Sequence, residues 1–296
     1  MKIGLQIPRF GWPGSPGNLG EKLAEIAHTA DEQGFSSIWV MDHYFQMERM
    51  INATYQDPML EGYTALSYMA GFSRRARLGT MVTGVNYRWP GYLLKVVSSL
   101  DVLSGGRACL GIGAGWYERE ALGLGMPFPP LKERFERLEE TLQIVLKVWS
   151  GDNSAYNGKH YHLAEPVNSP QPLSKPHPPI LIGGGGETKT LRLVAKYADA
   201  CNLFPVSNEE LAHKLDVLKR HCDAVGRNYD SIEKTVLARI SAGVNGGLAV
   251  QEFIENCKAW ALLGIQHVIM SDVPNVQDIR PLVEIGSQVI PAVAGL

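Results

Sequence analysis

Short apolar runs alternate along the chain with longer segments whose apolar residues recur at helical spacing. The runs at 2–8, 36–44, 77–85, 108–115, 180–185, 200–204, 235–243 and 267–272 read as strands. Helices are predicted over 18–34, 58–73, 90–106, 131–151, 187–199, 208–225, 249–263 and 275–290. Asn18 is the expected cap of the first helix, and Pro58 is expected near the first turn of the second. The clearest helix is 131–151, where Phe135, Leu138, Leu142, Val145 and Leu146 repeat among charges. The strand runs are apolar throughout rather than alternating, as strands covered on both faces must be.

Eight strands, each followed by a helix, favour one (β/α)8 TIM barrel over 1–296 rather than a doubly wound sheet. The pattern breaks once. Residues 151–179 are proline-rich and carry no long apolar run, so they read as a surface insertion with a hairpin around Asn157-Gly158.

Composition narrows the partners. The 296 residues carry a net charge of -2, which gives no electrostatic case for nucleic acid or an anionic membrane. No apolar run approaches the roughly 18–20 residues of a membrane span. The start, "MKIGLQIPRF", enters a strand directly and lacks the features of a signal peptide. Cys109, Cys201, Cys222 and Cys257 form no CxxC pair, so neither a metal site nor a disulfide frame is expected, and a cytoplasmic setting is the simplest.

Functional residues of such barrels gather at the C-terminal ends of strands. Four stretches meet that filter. Asp42-His43-Tyr44 ends the second strand and sets a carboxylate beside an imidazole suited to proton transfer near neutral pH. "MVTGVNYRW" (81–89) ends the third with Thr83, Asn86 and Tyr87 around Gly84. "LGIGAGWYERE" (110–120) ends the fourth; its G-x-G-x-G spacing is not the dinucleotide fingerprint, but it suits a strand end that a flat ring could approach. "GGGGETKT" (183–190) places four glycines before a helix, an anion-binding arrangement without the GK[ST] of a nucleotide loop. The histidines at 28, 160, 162 and 177 lie on a helix or in the insertion, where solvated or structural roles are the default.

Taken together, "GFSSIWVMDHY", "RLGTMVTGVNYR", "LDVLSGGRACLGIGAGWYERE" and "PPILIGGGGETKTLRLVAKYAD" resemble the luciferase-like monooxygenase superfamily, in its branch dependent on coenzyme F-420, a deazaflavin. The resemblance implies that Asp42 contacts the coenzyme and that His43 serves as proton donor. It implies a bulge with a non-proline cis peptide at Met81-Val82, followed by Thr83 and Asn86. It implies that Ala114, Gly115, Trp116 and Arg119 lie along the coenzyme. It implies a phosphate held by Gly183, Gly184, Gly185, Gly186 and Thr188. Arg88 and Arg119 are expected to favour its anionic tail. A homodimer acting on a small-molecule substrate is also implied.

One departure stands out. Family members that oxidise sugar phosphates carry a glutamate directly after the fourth strand's G-x-G, where this chain has Trp116. A sugar-phosphate substrate is therefore in doubt, and tryptophan there favours an apolar or aromatic one. The expected reaction is hydride transfer between the deazaflavin and an organic substrate. An FMN-dependent two-component monooxygenase and a non-catalytic coenzyme-binding protein remain as alternatives.

Overall fold

A computed structural model describes residues 1–48, 53–243 and 247–296. The barrel is built from β1 (Lys2–Ile7), β2 (Ser37–Val40), β3 (Arg77–Thr80) with its short continuation β4 (Thr83–Gly84), and β5 (Ala108–Gly113). A small antiparallel hairpin, β6 (Tyr156–Asn157) and β7 (His162–Leu163), sits in the insertion. The barrel then resumes with β8 (Ile180–Gly183), β9 (Ala200–Leu203), β10 (Glu233–Arg239) and β11 (His267–Ser271).

Every barrel pairing is parallel, in the order β3-β2-β1-β11-β10-β9-β8-β5, and β3 pairs with β5 to close the ring. The helices α1 (Leu19–Glu32), α2 (Gly62–Ala70), α3 (Pro90–Leu103), α4 (Glu118–Gly123), α5 (Leu131–Trp149), α6 (Thr190–Tyr197), α7 (Asn208–Val225) and α8 (Val250–Leu262) connect the strands. The chain ends in two short helices, α9 (Arg280–Glu284) and α10 (Ile290–Val293), joined by a π-helical turn. This is the (β/α)8 barrel the sequence pattern predicts.

Two apolar layers hold it together. The larger packs helices on the outside of the strands; a smaller one fills the barrel with Trp39, Met81, Cys109, Leu181, Ala200 and Ile269. Gly111, the first glycine of "GIGAG", belongs to this packing. A Cβ there would run into the Thr80 carbonyl oxygen and approach Trp39 to 3.5 Å. Its absence therefore serves strand approach, not ligand approach.

Local corrections have local causes. Pro58 lies outside α2; the helix starts at Gly62 because the Glu61 carboxylate caps the N–H groups of Tyr63 and Thr64. Asn18 occupies the cap position of α1 without a capping bond and donates to the Pro13 carbonyl instead. The expected strand 77–85 is broken at Met81-Val82, which is a cis peptide, and the chain bulges there before β4. The segment 275–290 divides into short pieces rather than one helix. Among the described residues, no helix is long and apolar enough to cross a membrane, and no cluster of His, Cys, Asp and Glu could hold a metal ion.

Candidate active site

A cavity of about 750 Å³ opens at the C-terminal ends of the strands. Its floor is the Met81-Val82 bulge. Gln6, from the end of β1, donates to the Met81 carbonyl (3.3 Å) and itself accepts from the Ser271 hydroxyl at 2.5 Å. The Val82 side chain occupies the space that side chains on Gly113 and Gly183 would take: a Cβ at 183 would stand 2.9 Å from its Cγ1. The glycine ends of β5 and β8 thus leave room for the bulge between them.

His43 lines the cavity and is buried. Its Nδ1 lies 2.5 Å from Oε1 of Glu120, a fully buried carboxylate on α4. The same oxygen accepts from the Tyr87 hydroxyl, and Oε2 accepts the N–H groups of Tyr44 (2.7 Å) and Phe45 (3.0 Å). Burial pushes the Glu120 carboxyl up, but the hydrogen bonds and charge of His43 and the bonds from Tyr87 and Phe45 outweigh it and hold the group below the usual carboxylate range. Burial and the neighbouring Glu120 push the Tyr87 phenol up, so it stays a donor. With Nδ1 directed at Glu120, the imidazole turns the edge carrying Nε2 away from that carboxylate. Trp116 and Tyr117, stacked at 5.1 Å, both meet the His43 ring edge-on, at 5.5 and 5.8 Å between centroids.

Glu120 should be read as a structural anion as well. Because its carboxyl is acidified by folding, it stabilises the protein above its unfolded pKa of about 4.5 and that contribution disappears as pH falls through the lower folded value. Glu120→Gln should cost about 1–3 kcal/mol in urea unfolding at pH 7, because an amide cannot accept from all four donors. The difference from wild type should shrink as the pH is taken below 4.5.

The other expected residues divide. His43, Met81, Val82 and Ala114 line the cavity, as do Gly115, Trp116, Gly183 and Gly184. Asp42 does not. Successive residues leaving β2 face opposite ways, so Met41 and His43 reach the cavity while Asp42 points behind its wall. There Arg88 grips both Asp42 oxygens, Nη1 to Oδ2 at 2.5 Å and Nη2 to Oδ1 at 2.9 Å, and also bonds Glu61. The Asp42 side chain is fully buried and that of Arg88 nearly so; Arg88 is therefore committed to this network and is not a mouth cation. Arg119 is exposed, pairs with Glu48 at 2.8 Å and lies over the Tyr55 ring.

Thr83 is buried among the hydroxyls of Tyr63 and Thr80, both 2.9 Å away, and supports the bulge from behind. Asn86 donates to Pro127 beside Gly115 and does not line the cavity. In the glycine turn, Gly184 takes φ +114°, a backbone conformation that favours glycine, and its N–H bonds the Asn202 carbonyl. Gly185, Gly186 and Thr188 lie outside the cavity wall; Thr190, the first residue of α6, is the threonine that lines it.

Four contributors escaped the sequence reading: Glu120, Tyr87 as its partner, Gln6, and Arg134 of α5. Arg134 donates to the Gly115 carbonyl at 2.6 Å while lying over the Phe128 ring. Its signal was hidden inside the charged run "ERFERLEE", although a buried arginine at helical spacing with Leu138 is consistent with an inward face.

The family model described as luciferase-like monooxygenase matches residues 1–273. The chain belongs to that family. It is similar to the F420-dependent glucose-6-phosphate dehydrogenase of Kineococcus radiotolerans, at 29% identity over 82% of this chain and 69% of the relative. It is also similar to the protein of that name from Amycolatopsis mediterranei, at 26% identity over 93% and 80%. Among solved structures, an F420-dependent secondary alcohol dehydrogenase in complex with an F420-acetone adduct superposes with a TM-score of 0.81 over 99% of this chain and 98% of that one, at 18% identity. The monooxygenase RslO1 from Streptomyces bottropensis gives 0.77 over 98% and 99%, also at 18% identity. At those identities the superpositions establish the barrel and nothing finer.

Proposed function

We propose that the chain is an oxidoreductase dependent on coenzyme F-420, with His43 as the proton-exchanging residue. The observation that carries this reading is His43 held through Nδ1 by a buried carboxylate at the wall of a cavity floored by the Met81-Val82 bulge. The similarity to relatives named F420-dependent dehydrogenases supports the choice of coenzyme.

The residues present fit such a group. Met81, Val82, Ala114 and Gly115 offer a mostly apolar surface for a ring system. The turn that begins at Gly183 and Gly184 runs into the N-terminus of α6, where Thr190 lines the cavity, and brings a hydroxyl and a helix dipole for phosphate. When bound, the deazaflavin supplies the hydride donor or acceptor. The protein does the rest. His43 takes or gives the accompanying proton through Nε2. The Glu120 carboxylate fixes the Nδ1–H tautomer and stabilises the imidazolium, and Tyr87 fixes the carboxylate in turn. Trp116 and Tyr117 shield one edge of the imidazole from water.

The reading extends to a cytoplasmic homodimer. The four cysteines, all buried and unpaired, suit a reducing compartment.

Titration of the purified protein with the deazaflavin and with FMN tests the coenzyme. At a hundredfold its Kd the deazaflavin should stabilise the fold by about 2.7 kcal/mol in thermal or urea unfolding. Saturable FMN binding with no response to the deazaflavin would overturn the proposal in favour of a flavin monooxygenase.

A further inference from the structure

The cavity is chemically lopsided. Among the described residues that line it there is no aspartate, glutamate or lysine. Among the described lining residues the basic side chains are His43 and Arg239, and Arg239 already has an interaction within the protein. By contrast, three large apolar side chains of the lining stand open to solvent: Trp116 is 55% exposed, Phe204 53% and Val206 74%. Phe204 and Val206 follow β9 directly, and Trp116 follows the end of β5, so all three belong to the rim where substrates enter a barrel of this kind. Large apolar groups left in water at the mouth of a cavity mark a surface that a ligand covers.

The position of Trp116 adds direction. It stands 5.5 Å from the His43 ring and is extended by the stacked Tyr117, so a ligand flank lying on this aromatic platform has its neighbouring polar group beside the imidazole. A phosphorylated sugar has opposite needs. Its dianion calls for converging, preferably bidentate, cationic donors. Arg239, the one arginine among the described lining residues, does not supply them, and the glycine turn of β8 is the anion site that the coenzyme reading already uses.

We infer that the substrate is an uncharged alcohol or carbonyl compound with an aromatic or branched apolar flank, which packs on Trp116, Phe204 and Val206 with its oxygen toward His43. This rests on the oxidoreductase reading above and names the substrate class of the same site. It separates the chain from the glucose-6-phosphate specificity in the names of its relatives.

Isothermal titration calorimetry on the full chain, with and without the deazaflavin, tests it by binding alone. The probes are 1-phenylethanol, acetophenone and glucose 6-phosphate. The neutral aromatic pair should bind and the sugar phosphate should give no saturable heat. Trp116→Ala should weaken the neutral ligands by at least about tenfold, and Trp116→Phe should restore affinity to within about threefold. Trp116 is half exposed, so neither variant threatens the fold. Tighter binding of glucose 6-phosphate than of the neutral pair, or no effect of Trp116→Ala, overturns the inference. The two readings fail separately. Deazaflavin binding without neutral-ligand binding sinks only the substrate class, whereas Trp116-dependent ligand binding without deazaflavin affinity sinks only the coenzyme.

Discussion

His43→Ala should lower turnover by about 10²- to 10⁴-fold, the range for removing a positioned general acid or base. Coenzyme affinity should change by no more than a few-fold, because the Met81-Val82 floor and the glycine turn after β8 do not depend on the imidazole. The geometry explains why the loss should fall on the chemical step. Glu120 Oε1 holds Nδ1, and Tyr87 holds that same oxygen. The ring is therefore already oriented before any ligand arrives, and little reorganisation is left for the reaction itself. Steady-state kcat, read beside a coenzyme titration, checks both halves. Undiminished turnover would remove His43 from the proton path, and an equal collapse of coenzyme affinity would reassign it to binding.

The carboxylate that supports His43 shows where sequence reading stops. Strands β1, β2, β5 and β8 to β11 were legible because runs buried on both faces are continuously apolar. The glycine-rich strand end at 110–115 was legible as something other than a nucleotide loop because spacing alone excludes it. Helix α4 was not legible. At Glu118–Gly123 it is too short for periodicity to register, and three of its residues, Glu118, Arg119 and Glu120, are charged. Only the fold separates them: Arg119 is exposed on Glu48, while Glu120 is fully buried under His43. The resemblance sets Trp116 where sugar-phosphate oxidisers of the family are expected to carry a glutamate, which puts a sugar-phosphate substrate in doubt. The structure supplies a carboxylate for the histidine four residues further on, from a different element.

Asp42 teaches a second lesson. Adjacent polar residues in sequence suggest a joint role, but residues leaving a strand alternate in direction. His43 faces the cavity and Asp42 faces Arg88, 46 positions later in the chain. Thr83 is displaced in the same sense: it braces the bulge through Tyr63 and Thr80 rather than facing the cavity. What periodicity cannot encode is which of two faces a tertiary partner will claim.

That partner should matter more to stability than any other single charge near the site. Arg88→Met should cost about 3–5 kcal/mol in urea unfolding, the usual penalty for leaving a buried charge without its counter-ion. The Asp42 side chain is fully buried and would lose two hydrogen bonds at once. Glu61 would lose its bond to the guanidinium while still capping α2 through Tyr63 and Thr64. Burial lowers the Arg88 pKa, but the charge and hydrogen bonds of Asp42 more than reverse this and raise it, so the guanidinium stays charged at any working pH. Arg88→Lys should recover little, since an ammonium cannot form the planar fork that holds both Asp42 oxygens, nor match the guanidinium lying 4.8 Å from the Tyr63 ring centroid. The double variant Asp42→Asn with Arg88→Met should recover a clear part of the loss, because it removes the stranded charge as well as the partner. Equal stability of the single and double variants would show that the cost lies in lost packing of the Arg88 stem. A cost below about 1 kcal/mol for Arg88→Met would show that water reaches Asp42 and that its pairing with Arg88 is not a dry, fixed support behind the cavity wall.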